Sequence, residues 1–331
     1  MEQTNQYVKQ FPELFEGKKI MYVHGFASSG QSGTVKRLRT VFPQATVIAP
    51  DLPVQPQDAI SLLRELCDKE RPDLIIGTSM GGMYTEQLRG FDRICVNPAL
   101  CIAETMQAHG MTGTQTFQNP RQDGVQTFYV DKTMVKAYRE VSEQRFEGLD
   151  DEDRQHVYGL FGDRDDLVDT FALFKEHYPQ ATHFHGEHRM DDRSFMHAVV
   201  PVIRWIDDRQ EHRERPIVYI DVRALCDQRG QPRSSAQKTV RQLLERYQLY
   251  FVAAAPADSR HYADTLQWLY EHINVPAWGH TVFTNQKPLL YGDYLIDVEK
   301  TEGMAALIHF GSDTFKTWDD IAVYFSRLGG Q

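Results

Sequence analysis

The sequence predicts an α/β protein of two domains, each built on a mostly parallel sheet. Three observations predict it. From Lys19 onward, short apolar runs alternate with amphipathic stretches, the strand–helix rhythm of a parallel sheet with right-handed crossovers. The charge run Asp207-Asp208-Arg209-Gln210-Glu211-His212-Arg213-Glu214-Arg215-Pro216 cannot be core and reads as a linker, after which a new strand begins at Ile217. The 331 residues, 41% hydrophobic and 25% charged, suffice for two cores without staples. The expected domains are residues 1–210 and 216–331.

Charge and cysteine usage narrow the function. A net charge of −10 argues against a nucleic-acid or anionic-membrane surface. Cys67, Cys95, Cys101 and Cys226 have neither C-x-x-C nor framework spacing, so reduced thiols in a cytoplasmic protein are expected. Met1 to Gln6 hold no basic start and no apolar run, so no signal peptide is expected. No apolar stretch approaches the length of a membrane span.

In the first domain, residues 19–23 form an apolar strand and 35–42 a basic amphipathic helix. Residues 45–49 are the next strand, 56–69 the next helix, and Pro72 introduces a buried strand, Leu74-Ile75-Ile76. Residues 93–97 form a further strand ending at Pro98. Residues 101–155 break the rhythm, with a Gly/Thr/Gln-rich centre and a charged helical part; a cap over a site and a plain surface excursion both fit. The sheet resumes at 156–161 and closes at 181–185, followed by a helix at 194–206.

The chemistry gathers at strand ends. Gly77-Thr78-Ser79-Met80-Gly81 is a G-x-S-x-G elbow, in which glycines let strand and helix approach while the serine takes a strained conformation. Its bland counterpart is a glycine-rich turn with an inert serine. The first strand ends in His24-Gly25-Phe26, the way the oxyanion loop of many α/β-hydrolases begins. The N–H groups of Phe26 and Met80 are the expected oxyanion donors. After the 156–161 strand comes Gly162-Asp163-Arg164-Asp165-Asp166-Leu167-Val168-Asp169, where a Ser…Asp…His order requires a carboxylate. Asp165 is chosen on its Gly-x-x-Asp-x-x-Val spacing, with Asp163, Asp166 and Asp169 as rivals. His188, in the loop after the last strand, is the expected general base. His197 sits in an apolar helix and reads as structural, and His183, His185 and His188 lack convincing partners for a metal cluster.

Residues 19 to about 207 resemble the YqiA-type esterases, a compact α/β-hydrolase family. The resemblance rests on His24-Gly25-Phe26-Ala27-Ser28-Ser29, Gly77-Thr78-Ser79-Met80-Gly81-Gly82, Val96-Asn97-Pro98-Ala99 and Gly186-Glu187-His188. It implies an esterase or thioesterase acting on small acyl esters without a cofactor, with Ser79 as nucleophile, Asp165 as acid and His188 as base. Glu187 stands where the family usually has Asp before the base.

The second domain reads as strand 217–221, helix 234–247, strand 249–255 and helix 260–272. Strand segments near 294–296 and 307–310 and a final helix at 318–328 follow. Val218-Tyr219-Ile220-Asp221, Ala253-Ala254-Ala255-Pro256, Lys287, Gly292-Asp293-Tyr294-Leu295-Ile296-Asp297 and Ile308-His309-Phe310-Gly311 resemble the haloacid-dehalogenase-type 5'(3')-deoxyribonucleotidases. That resemblance implies a smaller Rossmann-like domain with Asp221 as nucleophile and Lys287 as phosphate-orienting cation. It also implies Mg²⁺ on the side of Asp293 and Asp297, and a nucleotide or phosphate ligand. The family's second aspartate is here Arg223, a fixed cation that cannot move the proton. Its hydroxyl residue is here Ala253. An inactive phosphatase-like domain is therefore expected.

The preferred reading is a serine hydrolase with an accessory phosphatase-like domain. The alternatives are a Mg²⁺-dependent nucleotidase working through Asp221 and a non-catalytic protein that binds small ligands.

Overall fold

The computed structural model describes residues 8–275, 279–303 and 305–328; the leaderless start expected at Met1 to Gln6 lies outside them. The chain divides into two compact units. The first runs to Thr182 and includes Gly186–Val199; the second holds His183–His185 and the chain from Val200 onward.

The first unit opens with β1 (Lys19–Val23), α1 (Gly33–Val41), β2 (Thr46–Ile48) and α2 (Pro56–Glu70), then β3 (Leu74–Thr78), α3 (Met80–Glu86) and β4 (Arg93–Val96). Proline at the first turn of α2 costs no hydrogen bond there, and Arg71 closes that helix in the left-handed conformation. The irregular stretch holds α4 (Ile102–Ala108), the antiparallel pair β5 (Gly113–Thr116) and β6 (Thr127–Val130), α5 (Lys132–Ser142) and α6 (Asp151–Gln155). The hairpin was not legible in the Gly/Thr/Gln-rich sequence. Asp131 starts α5 by accepting the Met134 N–H at 2.8 Å. Then come β7 (Val157–Gly162), α7 (Phe171–His177), β8 (Ala181–Phe184), whose last two residues count with the second unit, and α8 (Asp192–Ser194), which runs into a π-helical turn, Phe195–Val199.

The six-stranded sheet has the order β2-β1-β3-β4-β7-β8, with β1 parallel to β2 and β3, β3 to β4, and β4 to β7. The crossover helices of a parallel sheet cover both of its faces, which explains why the central Leu74, Ile75 and Ile76 form an unbroken apolar run with no exposure. Met21, Val23, Leu63, Ile75, Met83 and Tyr84 belong to the core on the elbow side. The first unit is an α/β-hydrolase fold.

At the C-terminal end of the elbow helix, Glu86 is fully buried. It is held by Arg89 at 3.1 Å, by the Phe146 N–H at 3.3 Å and by the Tyr178 hydroxyl. Arg93, also fully buried, pairs with Asp153 at 2.5 Å. Buried charges are tolerated only when paired in this way, so the network fixes where α3 and the elbow stand.

The second unit contains α9 (Val200–Gln210), β9 (Ile217–Asp221), α10 (Val222–Leu225), α11 (Ala236–Leu244), β10 (Gln248–Ala253) and α12 (Arg260–Trp268). Then come β11 (Thr281–Phe283), β12 (Tyr294–Asp297), β13 (Ala306–His309) and α13 (Trp318–Leu328). Its parallel sheet has the order β11-β10-β9-β12-β13. The short β11 and α10 were not foreseen from sequence. Val218, Ile220, Leu243, Phe251, Ile296 and Trp318 are buried in its core. Among the described residues no helix is long and apolar enough to cross a membrane.

Candidate active site

Ser79 sits between β3 and α3 with φ 55° and ψ −122°, a conformation that non-glycine residues pay for and that elbows impose. The motif glycines make it attainable. A Cβ on Gly77 would collide with the Gly81 carbonyl and Thr85, and one on Gly81 would collide with the Val23 carbonyl. Gly25 lies close to Ser79, so the loop after β1 meets the elbow.

The three groups expected to act together are adjacent. The Ser79 hydroxyl donates to His188 Nε2 at 3.0 Å, and His188 Nδ1–H donates to Asp165 Oδ2 at 2.8 Å. Only an acceptor faces Nδ1, so the proton resides there and Nε2 offers its lone pair to the serine. The other oxygen of Asp165 accepts the N–H groups of Leu167 at 2.9 Å and Val168 at 3.0 Å. Partial burial would raise the Asp165 pKa, but His188 and these N–H groups outweigh it and hold the carboxyl below its usual value. The rivals do other things: Asp163 accepts the Gly186 N–H at 2.9 Å, while Asp166 and Asp169 are exposed.

The loop after β1 is anchored by His24, which is 2% exposed. Its Nδ1–H donates to the Gly25 carbonyl at 2.8 Å, and its Nε2 accepts the Leu52 N–H at 3.0 Å. Burial pushes its pKa down to about 4, so it is a neutral clamp. Among the described residues the Phe26 and Met80 N–H groups take no part in the loop bonds around them; Ser28 N–H donates to Gly25 and Gly82 N–H to Ser79.

Asn97, at the end of β4 with φ 45°, was not assigned a role from sequence. Its amide donates to the carbonyls of Glu187 at 3.1 Å and His188 at 3.0 Å, and its oxygen accepts the Gly162 N–H at 2.7 Å. It therefore ties the base loop to the acid loop. An Asn-Pro pair directly after a central strand was the available signal.

The segment after β5 reaches the site. Gln118 N–H donates to Ala27 at 2.8 Å, Ser29 Oγ to the Pro120 carbonyl at 2.7 Å, and the Asn119 amide to Ser28 Oγ at 3.1 Å. The Phe26 ring meets Phe128 edge-on at 5.3 Å. Ser79 and His188 line a cavity of about 340 Å³ with Gly25, Phe26, Ile102, Met111, Gln118 and Asn119. Residues 101–155 thus help to enclose the cavity.

The second unit groups Asp221, Lys287 and Asp297, with exposures of 2% for Asp221 and 0% for Asp297. Lys287 bridges Asp221 and Asp297, the latter at 2.7 Å. Arg223 pairs with Asp221 at 2.9 Å and with Glu299 at 2.8 Å. Burial favours a neutral Asp221, but Arg223 and Lys287 outweigh it and lower its pKa. Asp293 corrects the sequence expectation. It accepts the Ile217 N–H at 2.8 Å, and the register sets Tyr294 beside Val218 and Ile296 beside Ile220. Asp293 is therefore at the opposite end of β12 from Asp297, about 13 Å away along the strand, and cannot share a metal with it. The remaining carboxylates are committed to cations on this chain and do not fit Mg²⁺. Among the described residues no group of three or more His, Cys, Asp or Glu is arranged to hold a metal ion.

Comparison with known proteins adds the following. The profile described as "Uncharacterised protein family (UPF0227)" matches residues 19–193. A "Putative 5'(3')-deoxyribonucleotidase" of Staphylococcus epidermidis is 29% identical over 105 residues, covering 28% of this chain and 59% of that protein. One of Vibrio phage KVP40 is 28% identical over 89 residues, covering 25% of this chain and 52% of that protein. The chain thus spans between half and three fifths of the length of these curated relatives. Among solved structures, the Paleococcus ferrophilus monoacylglycerol lipase aligns with a TM-score of 0.39 at 13% identity, over 58% of this chain and 95% of that one. Est1E from Butyrivibrio proteoclasticus aligns with a TM-score of 0.39 at 14% identity, over 62% and 91%.

Proposed function

Starting from a chain that belongs to the family UPF0227, we propose that it is a serine hydrolase of the carboxylesterase or thioesterase type. The observation that carries the reading is the continuous relay Ser79 Oγ to His188 at 3.0 Å and His188 to Asp165 at 2.8 Å, opening on a cavity of about 340 Å³.

In this reading Ser79 Oγ attacks the ester carbonyl as His188 Nε2 takes its proton. The carbonyl oxygen becomes an oxyanion stabilised by the N–H groups of Phe26 and Met80, with the α3 N-terminus behind Met80. Asp165 keeps the His188 tautomer and stabilises the imidazolium without taking its proton. His188 then protonates the departing alcohol or thiol, leaving an acyl-Ser79. A water, deprotonated by His188, attacks that acyl group and releases the acid. His24 and Asn97 act earlier, by setting the loops from which Phe26, His188 and Asp165 project. The chemistry requires no metal or cofactor.

Hydrolysis of p-nitrophenyl butyrate tests the reading. Turnover by the wild type that is lost with Ser79→Ala and with His188→Ala is expected; equal turnover by Ser79→Ala would contradict it. For the second unit we propose a non-catalytic role, supported by the Lys287 and Arg223 pairs on Asp221. Mg²⁺-dependent release of phosphate from nucleoside monophosphates that disappears with Asp221→Asn would overturn that assignment.

A further inference from the structure

The whole chain carries a formal charge of −10. Yet no Asp or Glu lines the cavity that holds Ser79, while two arginines, Arg37 and Arg189, do. A cavity whose charge opposes that of its chain concentrates ligands of the opposite sign.

The start of α1 lies on the same wall: Ser32, Gly33 and Thr34 all line the cavity. The helix is nine residues long and has no acidic residue in its first turn. Ser32 occupies the N-cap position, where a serine hydroxyl ordinarily accepts a first-turn N–H. Here it makes no capping bond. Ser32 is 6% exposed, and its Oγ makes no hydrogen bond of normal geometry among the described residues, with the Tyr22 hydroxyl close by. A buried hydroxyl left unpaired is destabilising until a ligand bonds to it. The uncapped first turn offers N–H donors beside it, with the positive end of the helix dipole.

The arginines complete the wall in different ways. Arg37 is fixed by Asp192, which accepts its Nε–H at 2.6 Å, so its charge is balanced and its position set. Arg189 directly follows the base His188 and is exposed, with no ion-pair partner among the described residues. Its charge is the one available to a ligand. The rest of the lining mixes polar groups, among them Thr105, Gln118 and Asn119, with the apolar side chains of Ile102, Met111 and Leu167.

We propose that this wall binds an anionic group of the substrate: the preferred ester carries a carboxylate or phosphate a few bonds from its carbonyl, held by Ser32 Oγ, the first turn of α1 and Arg189. An apolar arm lies against Ile102, Met111 and Leu167. The proposal rests on the serine-hydrolase reading and names its substrate class.

The test compares matched esters on the full chain. One pair is p-nitrophenyl hemiglutarate and its neutral methyl ester. The other is the butyryl ester of 2-hydroxyethyl phosphate and that of ethylene glycol. The anionic member of at least one pair is expected to have a kcat/KM about tenfold higher at low salt, and the pair that does so identifies carboxylate or phosphate. That ratio should shrink as salt rises. Ser32→Ala and Arg189→Gln should each cut it several-fold, and Arg189→Lys should recover part of it. Ratios of one or less in both pairs, with the neutral esters still hydrolysed, would overturn the anion site and leave the hydrolase standing. If no ester is hydrolysed, the hydrolase reading fails and calorimetric titration decides the wall. Binding of monomethyl glutarate or inorganic phosphate that Ser32→Ala and Arg189→Gln weaken supports it; no binding of either overturns it.

Discussion

Both units bring a nucleophile-type side chain to the C-terminal end of a central parallel strand, and they leave it in opposite states. Ser79 follows β3 and donates one hydrogen bond, to a histidine lone pair that can take its proton. Asp221 ends β9 and is gripped by Lys287 and Arg223. An aspartate that neutralises two cations has little lone-pair density left for phosphorus or a metal. The difference teaches that a strand end supplies the location, whereas the partners of the side chain decide whether it reacts.

The largest expected effect separates the two directly. Ser79→Ala should lower ester hydrolysis by about four orders of magnitude or more, measured as kcat/KM. Asp221→Asn should leave the same rate within about twofold. Equal losses would mean that the two sites are not independent.

The second prediction tests what the grip on Asp221 is for. Lys287→Met leaves Asp221 and Asp297 buried and facing each other without the cation between them. It should destabilise the second unit by about 3–5 kcal/mol in urea unfolding. A loss under about 1 kcal/mol would mean that the cluster is not structural and would reopen a ligand-binding role.

Each unit also holds a histidine that burial keeps neutral, His24 in the first and His280 in the second. His24 is neutral when folded, with a pKa of about 4 against 6.5 in the unfolded chain. Between these values the unfolded chain binds more protons, so stability is full above about pH 6.5 and falls as pH drops toward 4. The loss is about 3 kcal/mol at most. His24→Gln should make that limb of the stability–pH curve shallower, with the slope due to His280 remaining, read by thermal unfolding across pH 4–7.

The smallest effect concerns positioning. Asn97→Ala removes the tie between the base and acid loops. It should lower kcat by about 10- to 100-fold with little change in KM. A KM-only effect would mean that Asn97 orders the cavity rather than the relay.

These contrasts also show what the sequence could carry. The elbow was legible because its glycines answer a steric demand confined to five residues. Asp165 was legible as one of four carboxylates, but the choice depends on which of them meets His188, 23 residues away. Asn97 was opaque because it joins loops 65 and 91 residues distant. The β5–β6 hairpin was missed because its Gly/Thr/Gln-rich strands lack apolar alternation. Asp293 misled because it and Asp297 flank one short strand, and period-two alternation puts both on one face without saying which end meets Asp221. The unpaired hydroxyl of Ser32 depends on a side-chain rotation that no sequence pattern encodes.

The central claim is that Ser79 alone is activated. The most direct measurement is labelling of the full chain with a fluorophosphonate probe, followed by peptide mass spectrometry. A single adduct on Ser79, absent from Ser79→Ala and much slower to form in His188→Ala, is predicted. A well-folded wild type that takes up no probe, or takes it up at another residue, would contradict the account.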